Sequence, residues 1–173
     1  MTKEKRIGIL TSGGDCAGLN AVIRAVVNGA SQKGWKVFGI HNGTEGLTEK
    51  PLSYEELTVH NFSDTPWPRL SGSYLGSLNK GVKMEALSEM SRKFGEGVRE
   101  LGLDAVIVVG GDGSMNITGN YCKGAGIKMI GIPKTIDKLV LLEGRWPENA
   151  GECLLNGFHA TSADIGTEIV ISD

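Results

Sequence analysis

Residues Val106–Ser114 read VIVVGGDGS. Four apolar, mostly β-branched residues run into two glycines, one carboxylate, a further glycine and a serine. An unbroken apolar run of this length marks a strand covered on both faces, as in a parallel sheet flanked by helices. Such a strand presents little but backbone and Asp112 at its carboxyl end. In open α/β sheets that end is where ligands bind. Asp112 is a hard oxygen ligand suited to Mg²⁺ on a polyphosphate. The glycines keep the approach open for a bulky anion, and the Ser114 hydroxyl can donate to it. A second reading of Asp112, as the cap of the next helix, stands beside this one.

Working outward, strand and helix patterns alternate. Arg6–Leu10 (RIGIL) reads as a strand, and Leu19, Ile23, Val26 and Val27 line one face of a following helix. Lys36–Ile40 (KVFGI) is the next strand. The polar, irregular stretch from His41 to Pro68 reads as loop with a short helix. Met84, Leu87, Met90, Phe94, Val98 and Leu101 recur every three or four residues, a helix with one buried stripe. Asp104 precedes the strand AVIVV, a short helix follows from Ser114 to Cys122, and Lys128–Pro133 (KMIGIP) is a further strand. These elements predict an α/β fold: a layered, Rossmann-like, mostly parallel sheet with helices on both faces.

Two more loops fall at strand ends. Thr11–Asn20 (TSGGDCAGLN) places glycines before a helix, where backbone N–H groups and the helix dipole favour an anion. It matches neither GxxxxGK[ST] nor GxGxxG. Pro133–Asp137 (PKTID) supplies Lys134 to neutralise phosphate charge, Thr135 to donate a hydrogen bond and Asp137 to accept a proton from an attacking hydroxyl. Read singly, each loop is also compatible with an ordinary turn. Read together, they supply the parts phosphoryl transfer requires.

Composition narrows the field. The 173 residues are 40% hydrophobic and carry a net charge of −2, which argues against nucleic-acid binding by bulk charge. The apolar runs are strand-length, so no membrane span is expected. The opening MTKEKRIGIL lacks the features of a signal peptide. Three scattered cysteines point to reduced thiols in a cytoplasm, and the three histidines show no zinc spacing. The 26 glycines follow no collagen or linker period; they punctuate strand ends.

The segments IGILTSGGDCAGLNAVIRAVV, GSYLGS, VIVVGGDGS and GIPKTID resemble, in order, the signatures of the phosphofructokinase family, over most of residues 6–137. The resemblance implies the N-terminal nucleotide-binding part of such an enzyme. It implies phosphoryl transfer to the 1-hydroxyl of fructose 6-phosphate, with Asp137 as catalytic base and Asp112 as the Mg²⁺ ligand. Gly13, Gly111, Gly113 and Ser114 would contact the phosphate donor, and Thr135 with Asp137 would face the sugar phosphate. Gly113 resembles the ATP-using members, whereas Lys134 is common in diphosphate users; ATP is favoured, because Gly113 leaves room for the α-phosphate. The family also implies small-molecule substrates, a homo-oligomer and a cytoplasmic setting.

Asn79 stands where the family usually has an arginine on the transferring phosphate. Lys80 beside it is a less well-directed cation. Thr44 stands where a tyrosine is common. After Asp137 the family continues into a long crossover, whereas here the chain reads TIDKLVLLEGR and only about five residues separate Pro133 from the next apolar run at Leu139, too few for a parallel crossover. An internal deletion is expected, with residues 1–138 as the phosphate-donor domain and 139–173 as a remnant of the sugar-phosphate region. In that remnant Gly144 and Arg145 resemble a sugar-binding MGR. Loss of the later cations and of covering elements would weaken sugar binding and leave strand edges and apolar faces exposed. The alternatives are a non-catalytic Mg-nucleotide-binding fragment, a diphosphate-dependent enzyme, a member of another kinase family with a GGDG loop, and a chain without a stable fold.

Overall fold

The computed structural model describes residues 4–60, 72–78 and 87–134. The chain divides between Thr135 and Ile136. Every described element belongs to the first unit; the second lies outside the described residues.

Ten elements follow in order: β1 (Arg6–Ser12), α1 (Leu19–Gln32), β2 (Lys36–Ile40), α2 (Glu45–Thr48), β3 (Tyr54–Leu57), β4 (Ser77–Leu78), α3 (Leu87–Glu100), β5 (Ala105–Gly110), α4 (Asp112–Ala125) and β6 (Met129–Pro133). Five strands form the sheet in the order β3-β2-β1-β5-β6, and β4 also pairs with β1. All pairings are parallel except β2 with β3. β5 takes one whole edge of β1, from Ile7↔Ala105 to Ser12↔Gly110. On the other edge β2 pairs with Arg6–Ile9, and β4 takes over at Thr11 and Ser12.

The central strands β1, β2 and β5 carry unbroken apolar runs because each face of the sheet has its own core. Ile7, Ile9, Val37, Ile107 and Val109 pack with Leu19, Ile23, Val27 and Ala30 of α1. Leu10, Phe38, Ile40, Val106 and Val108 pack on the opposite face with Leu47 of α2, Phe94 and Val98 of α3, and Tyr121 and Cys122 of α4. Successive strand residues therefore enter different cores, and each fully buried aliphatic side chain contributes about 1.5–3 kcal/mol. The three long helices stop by one device. Gly34, Gly102 and Gly126 adopt positive φ, and the next amide bonds back to Ala30, Val98 or Cys122. That is the glycine-terminated Schellman arrangement, and it returns the chain to the sheet within a few residues.

Several details differ from the sequence expectation. β1 runs two residues further, to Ser12. The stretch expected as loop with a short helix contains that helix, α2, but also a strand, β3, with the sequence YEEL. β3 is an antiparallel edge strand whose one buried residue is Leu57, so its composition carries no apolar run. The helix expected from Ser114 begins at Asp112 and continues to Ala125. β6 is the last strand of the described sheet; Ile130 is 56% exposed on the α1 side, where it lies beside Ile107. Met84 of the expected α3 stripe lies outside the described residues.

Candidate functional site

The strand order decides where a ligand can enter. From β1 the chain passes through α1 to β2 on one side; from β5 it passes through α4 to β6 on the other. The carboxyl ends of β1 and β5 thus flank the point where the winding reverses, the place where α/β sheets open a crevice. Register brings four ends together there: Ser12 lies opposite Gly110, Gly110 opposite Pro133, and Ser12 opposite Leu78 on its other edge.

Three of the expected residues converge at this edge. Gly13 turns the chain with φ +87°, a left-handed conformation in which a side chain is strained. A Cβ on Gly13 would stand 3.0 Å from Ser114 Oγ and 3.6 Å from Lys134 Nζ. A hydroxyl and an ammonium therefore flank the Gly13 backbone. Lys134 is held by its own backbone, which extends the β5–β6 ladder by a bond from its amide to the Gly110 carbonyl, 3.1 Å. Gly110 fits because its Cα side is crowded: a Cβ would meet Ser114 Cβ at 3.0 Å and the Ser12 carbonyl oxygen at 3.2 Å. This close approach lets α4 start directly at the sheet edge.

Gly14 and Gly113 behave differently. A Cβ at either would meet nothing within 4 Å, and neither has a positive φ. Nothing in the described fold requires a glycine there. Gly111 is the N-cap of α4, with extended backbone, and makes no side-chain cap bond. Asp112 is the first helical residue and not the cap, and it is exposed. Among the described residues no ion pair or hydrogen bond joins its carboxylate to another side chain. Amides at the amino end of a 14-residue helix, an ammonium and a hydroxyl make an edge that favours an anion. Among the described residues no group of three or more His, Cys, Asp or Glu is arranged to hold a metal ion. Asn79, Lys80, Thr135, Asp137, Gly144 and Arg145 lie outside the described residues.

The end of β1, the loop after it and the start of α1 contain functional groups that sequence reasoning did not separate from the glycines. Thr11, Asp15 and Asn20 bond to residues 72–77. The Thr11 hydroxyl lies 2.6 Å from Ser73 Oγ and 2.7 Å from the Gly76 carbonyl. Asp15 Oδ1 accepts from the Ser73 amide at 3.1 Å and from Ser77 Oγ at 3.2 Å. Asn20 donates to the Gly72 carbonyl and accepts from the Tyr74 amide, both at 2.8 Å. One signal was present: Asn20 is in register with Ile23, Val27 and Ala30 on the buried stripe of α1, and it is 3% exposed. A polar residue on that stripe requires partners. Tyr74 also donates its hydroxyl to Glu55 at 3.1 Å. Burial, with the Glu55 carboxylate beside it, raises the phenol above its ordinary pKa.

The chain matches the family model described as Phosphofructokinase over residues 6–141. It is 46% identical over 143 residues to ATP-dependent 6-phosphofructokinase 1 of a Nostoc species, a match covering 79% of this chain and 39% of the relative. To the ATP-dependent 6-phosphofructokinase of Chloroflexus aggregans it is 45% identical over 142 residues, with the same two coverages. The chain thus spans about two fifths of the length of these curated relatives. Among solved structures, Pichia pastoris phosphofructokinase in the T-state superposes with a TM-score of 0.64 at 29% identity, over 78% of this chain and 16% of that one. The family model spans most of the sequence, and the relatives and the superposed structure carry the same family name: the chain belongs to the phosphofructokinase family.

Proposed function

We propose that this chain binds ATP at the edge formed by Gly13, Gly111–Ser114 and Lys134, and that it supplies the phosphoryl-donor half of a 6-phosphofructokinase. The observation that carries the proposal is the convergence of the Gly13 backbone, Ser114 Oγ and Lys134 Nζ at the amino end of α4, beside the open space at Gly14 and Gly113. Lys134 and the α4 amides neutralise the polyphosphate, and Ser114 donates to it. The open space at Gly113 accommodates an α-phosphate, and the curated relatives are named as ATP-dependent. Both favour ATP over diphosphate.

The exposed carboxylate of Asp112, which has no ion pair among the described residues, fits Mg²⁺, which binds through one or two carboxylates plus substrate phosphates. When bound, the ion neutralises charge on the transferred group. Asp137 is the proposed base for the 1-hydroxyl of fructose 6-phosphate, three residues beyond Lys134. Thr135, Gly144 and Arg145 are proposed to face the sugar phosphate, and Asn79 and Lys80 the transferred phosphate.

Calorimetry with Mg-ATP, run beside a coupled assay with fructose 6-phosphate and either ATP or diphosphate, tests the reading. Asp112→Ala and Lys134→Ala are each expected to weaken Mg-ATP by tenfold or more, about 1.4 kcal/mol each. Asp137→Asn is expected to keep the affinity while removing turnover. Parent-like affinity in both Asp112→Ala and Lys134→Ala refutes the assignment. Binding without turnover in the parent makes the chain a nucleotide-binding module.

A further inference from the structure

β4 is two residues long, too short to hold residues 72–78 in place by strand pairing alone. The backbone of this segment is tied instead by groups from β1, α1 and two loops. The Gly72 carbonyl and the Tyr74 amide go to the Asn20 amide, the Ser73 amide to Asp15, and the Gly76 carbonyl to Thr11. The Leu75 carbonyl accepts from the Asn42 amide at 2.8 Å. Three of these anchors flank Gly13 and Gly14 in sequence. β4 sets Leu78 in register with Ser12, one residue short of the Gly13 turn.

Resting on the donor-site reading above, we infer that Asp15 and Asn20 are positioning residues for phosphoryl-donor binding. They hold residues 72–78, whose β4 pairs with the end of β1, beside the edge that Gly13 shares with Ser114 and Lys134. Their chemistry differs. Asp15 uses one oxygen as a double acceptor, which an asparagine Oδ1 reproduces. Asn20 both donates and accepts, and an aspartate would set an acceptor against the Gly72 carbonyl.

This asymmetry gives the test. Amide hydrogen exchange over residues 72–78 is measured in the full chain together with Mg-ATP affinity. Asp15→Ala and Asn20→Asp are expected to speed exchange at Ser73 and Tyr74, and to weaken Mg-ATP, by about tenfold each. Asp15→Asn is expected to stay within about threefold of the parent. Ser77→Ala removes one donor to Asp15 and is expected to shift both readouts about threefold, so the test holds if a stronger variant does not fold. Fast exchange with parent-like affinity would overturn the inference, since the bonds would then serve stability alone. Unchanged exchange would overturn it too. If Lys134→Ala loses Mg-ATP with normal exchange at 72–78, the donor site stands and the positioning role is judged on Asp15 and Asn20 alone. A parent chain that does not bind Mg-ATP overturns both.

Discussion

Replacing Gly113 by alanine separates what the fold needs from what a ligand needs. Gly113 is the second residue of α4, with no atom within 4 Å of a Cβ built there and no positive φ. Glycine in a helix costs about 0.5–1 kcal/mol relative to alanine, because more backbone freedom is lost on folding. With no clash and no strain to offset that gain, the free variant is expected to be more stable by up to about 1 kcal/mol, a rise of about 2–5 °C in Tm. Its methyl occupies the space assigned to the donor α-phosphate, so Mg-ATP affinity is expected to fall at least tenfold, about 1.4 kcal/mol. Thermal unfolding without ligand and calorimetry with Mg-ATP read the two effects separately. A higher Tm with parent-like affinity would show that the donor does not use this space. A lower Tm would show that the fold itself requires the glycine.

Gly97→Ala should act in the opposite sense. A Cβ there would overlap the Leu47 carbonyl oxygen and lie 3.0 Å from its carbonyl carbon, so α2 and α3 must part. The expected loss is about 2 kcal/mol even after the helix-propensity gain, read as a lower urea midpoint; an unchanged midpoint would show that α2 yields freely. The buried Cys122 thiol gives a pH prediction. Burial pushes it up to about 11, whereas in the unfolded chain it ionises near 8.5. The unfolded state therefore releases a proton that the folded state keeps, so this contribution is complete below about pH 8.5 and is lost as pH rises toward 11. Urea unfolding of the parent should show a loss on the order of 2 kcal/mol between pH 8 and pH 10 that Cys122→Ala lacks; equal pH dependence in both would refute the assignment.

The elements that sequence reasoning recovered are those whose pattern is local. VIVV in β5 and VFGI in β2 are apolar at every position because both sheet faces are covered, and the α1 and α3 stripes repeat every three or four residues. β3 escaped because an edge strand with one buried residue resembles a polar loop. Asp15 and Asn20 were legible as polar residues after a glycine turn, but their partners lie 52 to 62 positions away.

From the sequence alone came the alternation of strand and helix, the glycines at strand ends, and the presence of a carboxylate, a hydroxyl and an ammonium there. These depend on residue type and near neighbours, so the linear order suffices. Only the tertiary structure decided that Gly13, Ser114 and Lys134 share one edge, that Asp112 starts α4 rather than capping it, and that the first loop clamps residues 72–78. Strand order and register determine such proximities. They follow from how two apolar faces are buried at once, a condition on the whole sheet that no single segment carries.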